Sequence, residues 1–267
     1  MKKILIPIIL FLIVTTNSCN LYKHYERPDI SFVDSLYNKI PMANSYESIA
    51  RMTWRELFAD TLLQDCIELG LQNNTNLEIA RLKVEQAEAT LQTSRLAFFP
   101  SVSFSAQTNV GSNSNGLGYN LTPSASWEID AFGRILNTKK GSQAALGATE
   151  AYQQAVQTQL IATIANSYYT LLMLDEQLDI SKRTLKTWDE NIRTLSALKR
   201  AGKTNEAAVL QAKANKVNVE ASILTLEKQI IEQENSLSAL LGVVPQEFER
   251  GTLENQVFPD TLLTGLP

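Results

Sequence analysis

The sequence predicts a mainly α-helical chain interrupted by one β-hairpin, and three observations carry that prediction. Residues 99–133 alternate apolar and polar side chains with period two around a Gly/Asn/Ser-rich turn. The segments on either side repeat apolar or small residues at three- and four-residue spacings, the heptad pattern of coiled coils. Residues 142–200 contain no proline and only Gly147 among glycines, which predicts one helix roughly 90 Å long at about 1.5 Å per residue.

Composition bounds the rest. A chain of 267 residues holds one or two domains. Its net charge of −4 excludes a nucleic-acid footprint. With 11 glycines and 7% aromatic residues, any membrane barrel is a small part of the chain. The single histidine, His24, cannot build a metal site or a Ser/His/Asp constellation. Glu85 with Glu88, and Asp175 with Glu176, read as solvated carboxylate neighbours on helix surfaces. No catalytic, cofactor-binding or metal-ligating residue is therefore expected, and the chain is read as a non-enzyme.

At the N-terminus Lys2 and Lys3 precede the apolar run Ile4 to Val14, followed by small and polar residues up to Cys19. This is a signal peptide over residues 1–18, too short to span a membrane as a helix. Cys19 stands where a bacterial lipoprotein signal places its lipidated cysteine, and several acyl chains together anchor a protein stably. Residues 19–51 carry Pro28 and Pro41 without a sustained period and read as a lipid-anchored, extended tail. Cys66, inside an apolar helical pattern, reads as a small core residue.

Residues 52–98 read as two helices. Thr53 or Asp60 caps the first, which runs through Leu63 and Ile67 to Gly70 or Asn73-Asn74. Asn76 caps the second, whose seam Leu77, Ala80, Val84, Ala87, Leu91, Ser94 and Phe98 ends at Pro100.

In the hairpin, Val102, Phe104, Ala106, Thr108 and Val110 share one face with Tyr119, Leu121, Ala125, Trp127 and Ile129. Serines, Gln107, Asn109, Asn120, Thr122, Glu128 and Asp130 take the other. Each run is about ten residues, the length a tilted strand needs to cross a bilayer. Tyr119 and Trp127 are candidate membrane-interface aromatics, while Phe132 is expected in the core of the strand-to-helix junction. Glu128 and Asp130 either face a lumen or cap the next helix, with Arg134, Lys139 and Lys140 positioned to pair with them or with lipid head groups. Two strands leave edges unpaired, and only a closed barrel satisfies them, so the hairpin needs partner strands.

Gly133, Gly141 and Gly147 punctuate the return to helix. Leu171, Leu174, Leu178, Ser181, Leu185, Trp188, Ile192, Leu195 and Lys199 keep heptad spacing up to Arg200. Gly202 suits a left-handed cap and Thr204 or Asn205 the next N-cap. Val209, Ala212, Lys216, Val219, Ile223, Leu226, Ile230, Gln233, Leu237 and Leu240 continue the heptads until Gly242 and Pro245. The turn is so short that these two helices form an antiparallel hairpin over 134–241 with its tip at 200–205. Residues 242–267 read as an irregular polar tail.

These residues carry a resemblance. SWEIDAFGRI (126–135) resembles the Trp-Glu-x-Asp-x-Phe-Gly-Arg signature of TolC-like outer-membrane efflux proteins, in their NodT-type lipoprotein branch. Cys19 with YKHYERP (22–28), WRELFADTLL (54–63) and NNTNLEIARLKVEQAEATLQTSRLAFFP (73–100) are similar as well. ALKRAGKTNEAAVLQAKA (197–214) resembles the helical tip that faces a periplasmic adaptor. The resemblance implies long antiparallel helices forming part of a periplasmic α-barrel, and a two-strand share of an outer-membrane β-barrel. It implies a homotrimer, lipid-anchored in the outer membrane and reaching into the periplasm, that works with an adaptor and an inner-membrane pump. Arg200, Gly202, Thr204 and Asn205 would meet the adaptor, with Glu128, Asp130 and Arg134 at the barrel lumen or junction. The family carries two such repeats and only the first is found here, so truncation to one repeat is expected. The competing readings are a periplasmic adaptor lipoprotein and a type I secretion channel.

Overall fold

A computed structural model describes residues 28–29, 52–110 and 117–256. Cys19, the signal segment and most of the extended tail lie outside the described residues. The elements follow in the order α1 (Trp54–Leu57), α2 (Thr61–Asn73), α3 (Thr75–Leu96), β1 (Ser101–Val110), β2 (Leu117–Ser126), α4 (Arg134–Arg200) and α5 (Glu206–Leu241), with a 3₁₀ turn at Leu253–Asn255. The chain is mainly α with a two-stranded antiparallel sheet, as its heptads and its single alternating stretch predict. No described helix is long and apolar enough to cross a membrane.

Two compact units divide the chain, one containing residues 87–146 and the other residues 46–86 with 147–267. In the first, β1 pairs with β2 from Ser101↔Ser126 to Val110↔Leu117. That register puts Val102 opposite Ala125, Phe104 opposite Pro123 and Ala106 opposite Leu121 on one face. The helix ends of this unit meet through small residues: Ser94, buried, stands with its Oγ 2.8 Å from Ser142 Oγ. A side chain larger than serine at either position would push the helices apart.

The second unit holds the core. Leu63, Ile67, Leu77, Ile164, Tyr168, Leu171, Leu237 and Leu241 are almost wholly removed from water, and Phe58, Leu178 and Phe248 pack around them. Gly70 lets α2 approach α4 and α5, because a Cβ there would lie 2.4 Å from Ile164 Cδ1 and 3.1 Å from Leu241 Cδ2. Cys66 is a buried core residue, and burial, helped by the neighbouring Asp65 and Asp60 carboxylates, pushes its thiol up to about 11. A thiol so protonated is not a reactive one.

Three local expectations change. Thr53 and Asp60 both act as caps, Thr53 in a capping box for α1 and Asp60 for α2. The cap of α3 is Asn74 rather than Asn76. Its Oδ1 accepts Leu77 N–H at 3.1 Å while its Nδ2 donates to Leu240 O at 2.8 Å, so one side chain starts α3 and holds the end of α5. Gly141 and Gly147 do not delay the return to helix: α4 begins at Arg134 and runs through both. Each glycine costs such a helix only about 1 kcal/mol.

Candidate functional site

The motif WEIDAFGR is a strand-to-helix junction in which nearly every signature residue has a mechanical task. The Trp127 indole N–H donates to Phe98 O at 3.1 Å and ties the end of β2 to the chain entering β1. Glu128 takes two hydrogen bonds from Arg134, at 3.0 Å to Nε and 2.5 Å to Nη2, closing the turn between them. Asp130 accepts the backbone N–H groups of Ile135 (3.1 Å) and Leu136 (2.8 Å) and so caps α4. Desolvation pushes the Asp130 carboxyl up, but those N–H donors and that of Arg134 outweigh it and hold it below the usual carboxylate range. Gly133 sits at φ +72°, a left-handed conformation that favours glycine. Asp130 thus caps the next helix, one of the two roles open to the acids, while Glu128 makes no cap and pairs with Arg134.

Phe132 departs from expectation. It is 81% exposed rather than packed in the junction, and Phe99, Trp127 and Ile129 are also largely exposed. Tyr119 is exposed on the apolar face of the sheet. On the opposite face hydroxyls pair across the strands: Ser101 Oγ with Ser126 Oγ at 2.8 Å and Ser103 Oγ with Ser124 Oγ at 2.7 Å, while Ser105 Oγ donates to Thr122 O at 3.3 Å.

In the other unit, α4 ends at Arg200 in a Schellman turn. Lys203 N–H reaches Leu198 O at 2.9 Å, Gly202 N–H reaches Lys199 O at 3.0 Å, and Gly202 adopts φ +70°. Asn205 caps α5 by accepting Ala208 N–H at 3.0 Å, and Lys199 pairs with Glu206 across the turn. Arg200 is exposed and makes no ion pair among the described residues, whereas Thr204 is half-buried. Lys216, in the seam of α5, reaches Asp189 on α4 at 2.8 Å.

The residues after α5 hold a site that no local pattern announced. Arg250 donates to Asp175 on α4 at 2.5 and 3.0 Å and to Glu234 on α5 at 2.6 Å. Asp175 is thus a structural partner rather than a solvated neighbour of Glu176. Next to this triad Tyr168 donates its hydroxyl to Asp60 Oδ2 and accepts Gly251 N–H, and Gln256 also donates to Asp60 at 2.8 Å. Residues 246–256 therefore strap α2, α4 and α5 together. Among the described residues no cluster of His, Cys, Asp and Glu could hold a metal ion.

Long helices paired by heptads, a capped tip and a membrane-length amphipathic hairpin with a hydrogen-bonded strand-to-helix junction are the elements this chain brings to comparison with known proteins. Residues 66–243 match the model of the outer membrane efflux protein family, and the chain belongs to that family. It is 28% identical over 240 residues to the probable outer membrane lipoprotein SilC of Salmonella typhimurium, covering 85% of this chain and 51% of that protein. It is 25% identical over 244 residues to the cation efflux system protein CusC of Escherichia coli K12, covering 89% and 53%. Among solved structures the outer-membrane channel OprN superposes with a TM-score of 0.70 at 26% identity, over 79% of this chain and 50% of that one. The chain spans about half the length of the curated relatives it matches.

Proposed function

We propose that this protein contributes part of the wall of a passive outer-membrane duct through which a tripartite efflux system exports small molecules from the cell. The observation that carries the reading is the hairpin of two ten-residue strands, apolar on one face and hydroxylic on the other, whose Trp127–Arg134 junction runs directly into α4. The partners that fit are further copies of the chain, a periplasmic adaptor engaging Arg200, Gly202, Thr204 and Asn205, an inner-membrane pump and outer-membrane lipid. Lipidation at Cys19 would supply the anchor. Tyr119 and Trp127 would mark the two ends of the membrane-embedded band. Export here needs no catalysis, since the pump supplies the energy and the duct the path.

The test is deletion of the gene in its own host. The expected result is increased accumulation of a fluorescent pump substrate, restored by the gene in trans. Unchanged accumulation, with the tagged protein found in the outer-membrane fraction, overturns the reading.

A further inference from the structure

From the serine ladder of the hairpin we infer that the lumen wall built by β1 and β2 is not a charge filter, and that it passes cationic, anionic and neutral solutes alike. The inference rests on the channel reading proposed above and adds to it what this stretch of the path does to a passing molecule. Residues 96–127 contain no Asp, Glu, Lys, Arg or His. The two faces of the hairpin are chemically distinct. Val102, Phe104, Tyr119 and Leu121 are 65–75% exposed on one, the face a lipid tail accepts. The other carries the paired hydroxyls of Ser101, Ser103, Ser124 and Ser126, with Ser105 and Thr122 at the next rung.

Pores that sort ions by sign do so with rings of charged side chains or aligned carbonyls. Here the rung hydroxyls stand 2.7–2.8 Å apart and satisfy one another, which leaves a wetted surface of small dipoles with no net sign. The charges at the end of β2 are balanced locally. Glu128 is closed onto Arg134, and Asp130 spends both carboxylate oxygens on the N-terminus of α4, where the peptide dipoles oppose its charge. Arg95, Lys139 and Lys140 lie on the helices, outside the strands.

The experiment compares the purified native assembly with the S103D/S124D and S103N/S124N variants in planar bilayers under a KCl gradient. S103D/S124D should raise the cation-to-anion permeability ratio severalfold, and S103N/S124N should leave it at the native value. Channels of S103D/S124D with normal conductance and an unchanged ratio overturn the inference, as does loss of a strong native selectivity in S103N/S124N. A second measurement covers failure of the aspartate variant to insert. Ser103→Cys in outer-membrane vesicles should react with cationic and anionic membrane-impermeant thiosulfonates in the same ratio as a free thiol, while Phe104→Cys stays unreactive. A sign-biased ratio, or reaction at position 104 and not at 103, overturns it. Absence of any conductance from native protein correctly placed in the outer membrane instead fails the channel reading, and this inference with it.

Discussion

The hydroxyl of Tyr168 lies 2.7 Å from Asp60 Oδ2 although 108 residues separate them, and it accepts the N–H of Gly251 as well. One phenol thereby joins α4 to the cap of α2 and to the strap that follows α5. Desolvation pushes the Asp60 carboxyl up, but its donors Gln256, Tyr168, Leu62 and Leu63 outweigh burial and hold it below the usual range. Burial is also what raises the Tyr168 phenol, assisted by the adjacent Asp60 and against the Gly251 N–H.

The pair sets a pH window. Asp60, depressed in the folded state, contributes stability above the ordinary carboxylate value of about 4 that is lost as pH falls through its lowered folded value. Tyr168, raised in the folded state, contributes stability below about 10 that is lost as pH rises through its higher folded value. Thermal unfolding followed by circular dichroism should show both limbs, with Asp60→Asn flattening the acid one and Tyr168→Phe the alkaline one. Identical pH profiles in all three proteins would show that the contact contributes nothing.

Removal of Arg250 leaves Glu234, whose side chain is only 10% exposed, without its counter-charge. Breaking a buried pair from one side costs about 3 kcal/mol or more, chiefly through the charge left behind. Arg250→Ala should lower the unfolding midpoint in urea accordingly. Adding Glu234→Gln should recover a measurable part, a coupling that a mere loss of packing at position 250 does not give.

Two glycines make close approaches with different tolerance. At Gly242 a Cβ would stand 2.6 Å from the backbone oxygen of Asn73, and the residue sits at φ +69°. At Gly70 the obstacle is the end of the Ile164 side chain, which can move. Gly242→Ala should therefore destabilise by more than Gly70→Ala, the left-handed strain alone being about 1–2 kcal/mol. Melting temperatures in the opposite order would contradict this ranking.

Charge reversal at the tip addresses the proposed adaptor contact. Arg200→Glu with Thr204→Asp touches neither the Gly202 turn nor the Asn205 cap, so the protein should reach the outer membrane in normal amount. Susceptibility to pump substrates should rise to that of the deletion strain. Unchanged susceptibility refutes contact through these residues.

What the sequence disclosed was what local patterns encode. The hairpin announced itself because a strand alternates with period two, and the α4–α5 turn because Gly202 and Asn205 each have a cap geometry they favour. The strap was invisible: Arg250 and Asp175 lie 75 residues apart, and no short-range pattern links an arginine in a polar tail to a carboxylate in mid-helix. Phe132 misled because burial is the common fate of a phenylalanine, but an exposed one is the informative case. The WEIDAFGR junction was legible as a motif before its mechanics were, since cap, ion pair and left-handed glycine only make sense once the strand is seen to give way to a helix.

Beside the seam that α5 turns toward α4, it carries Leu210, Val217, Leu224 and Ile231, one heptad apart and 55–68% exposed. With Ala214, Ala221 and Lys228 between them they form a second seam, and at about 100° per residue it lies roughly 150° around the helix from the first. In the duct proposed above, a helix with two seams would be a stave rather than half of a pair, and the angle between its seams a bevel. Staves cut at roughly 150° turn each joint by about 30°, so a palisade of them would close after on the order of a dozen. The curvature of the wall would then be written in the spacing of four exposed side chains on one helix.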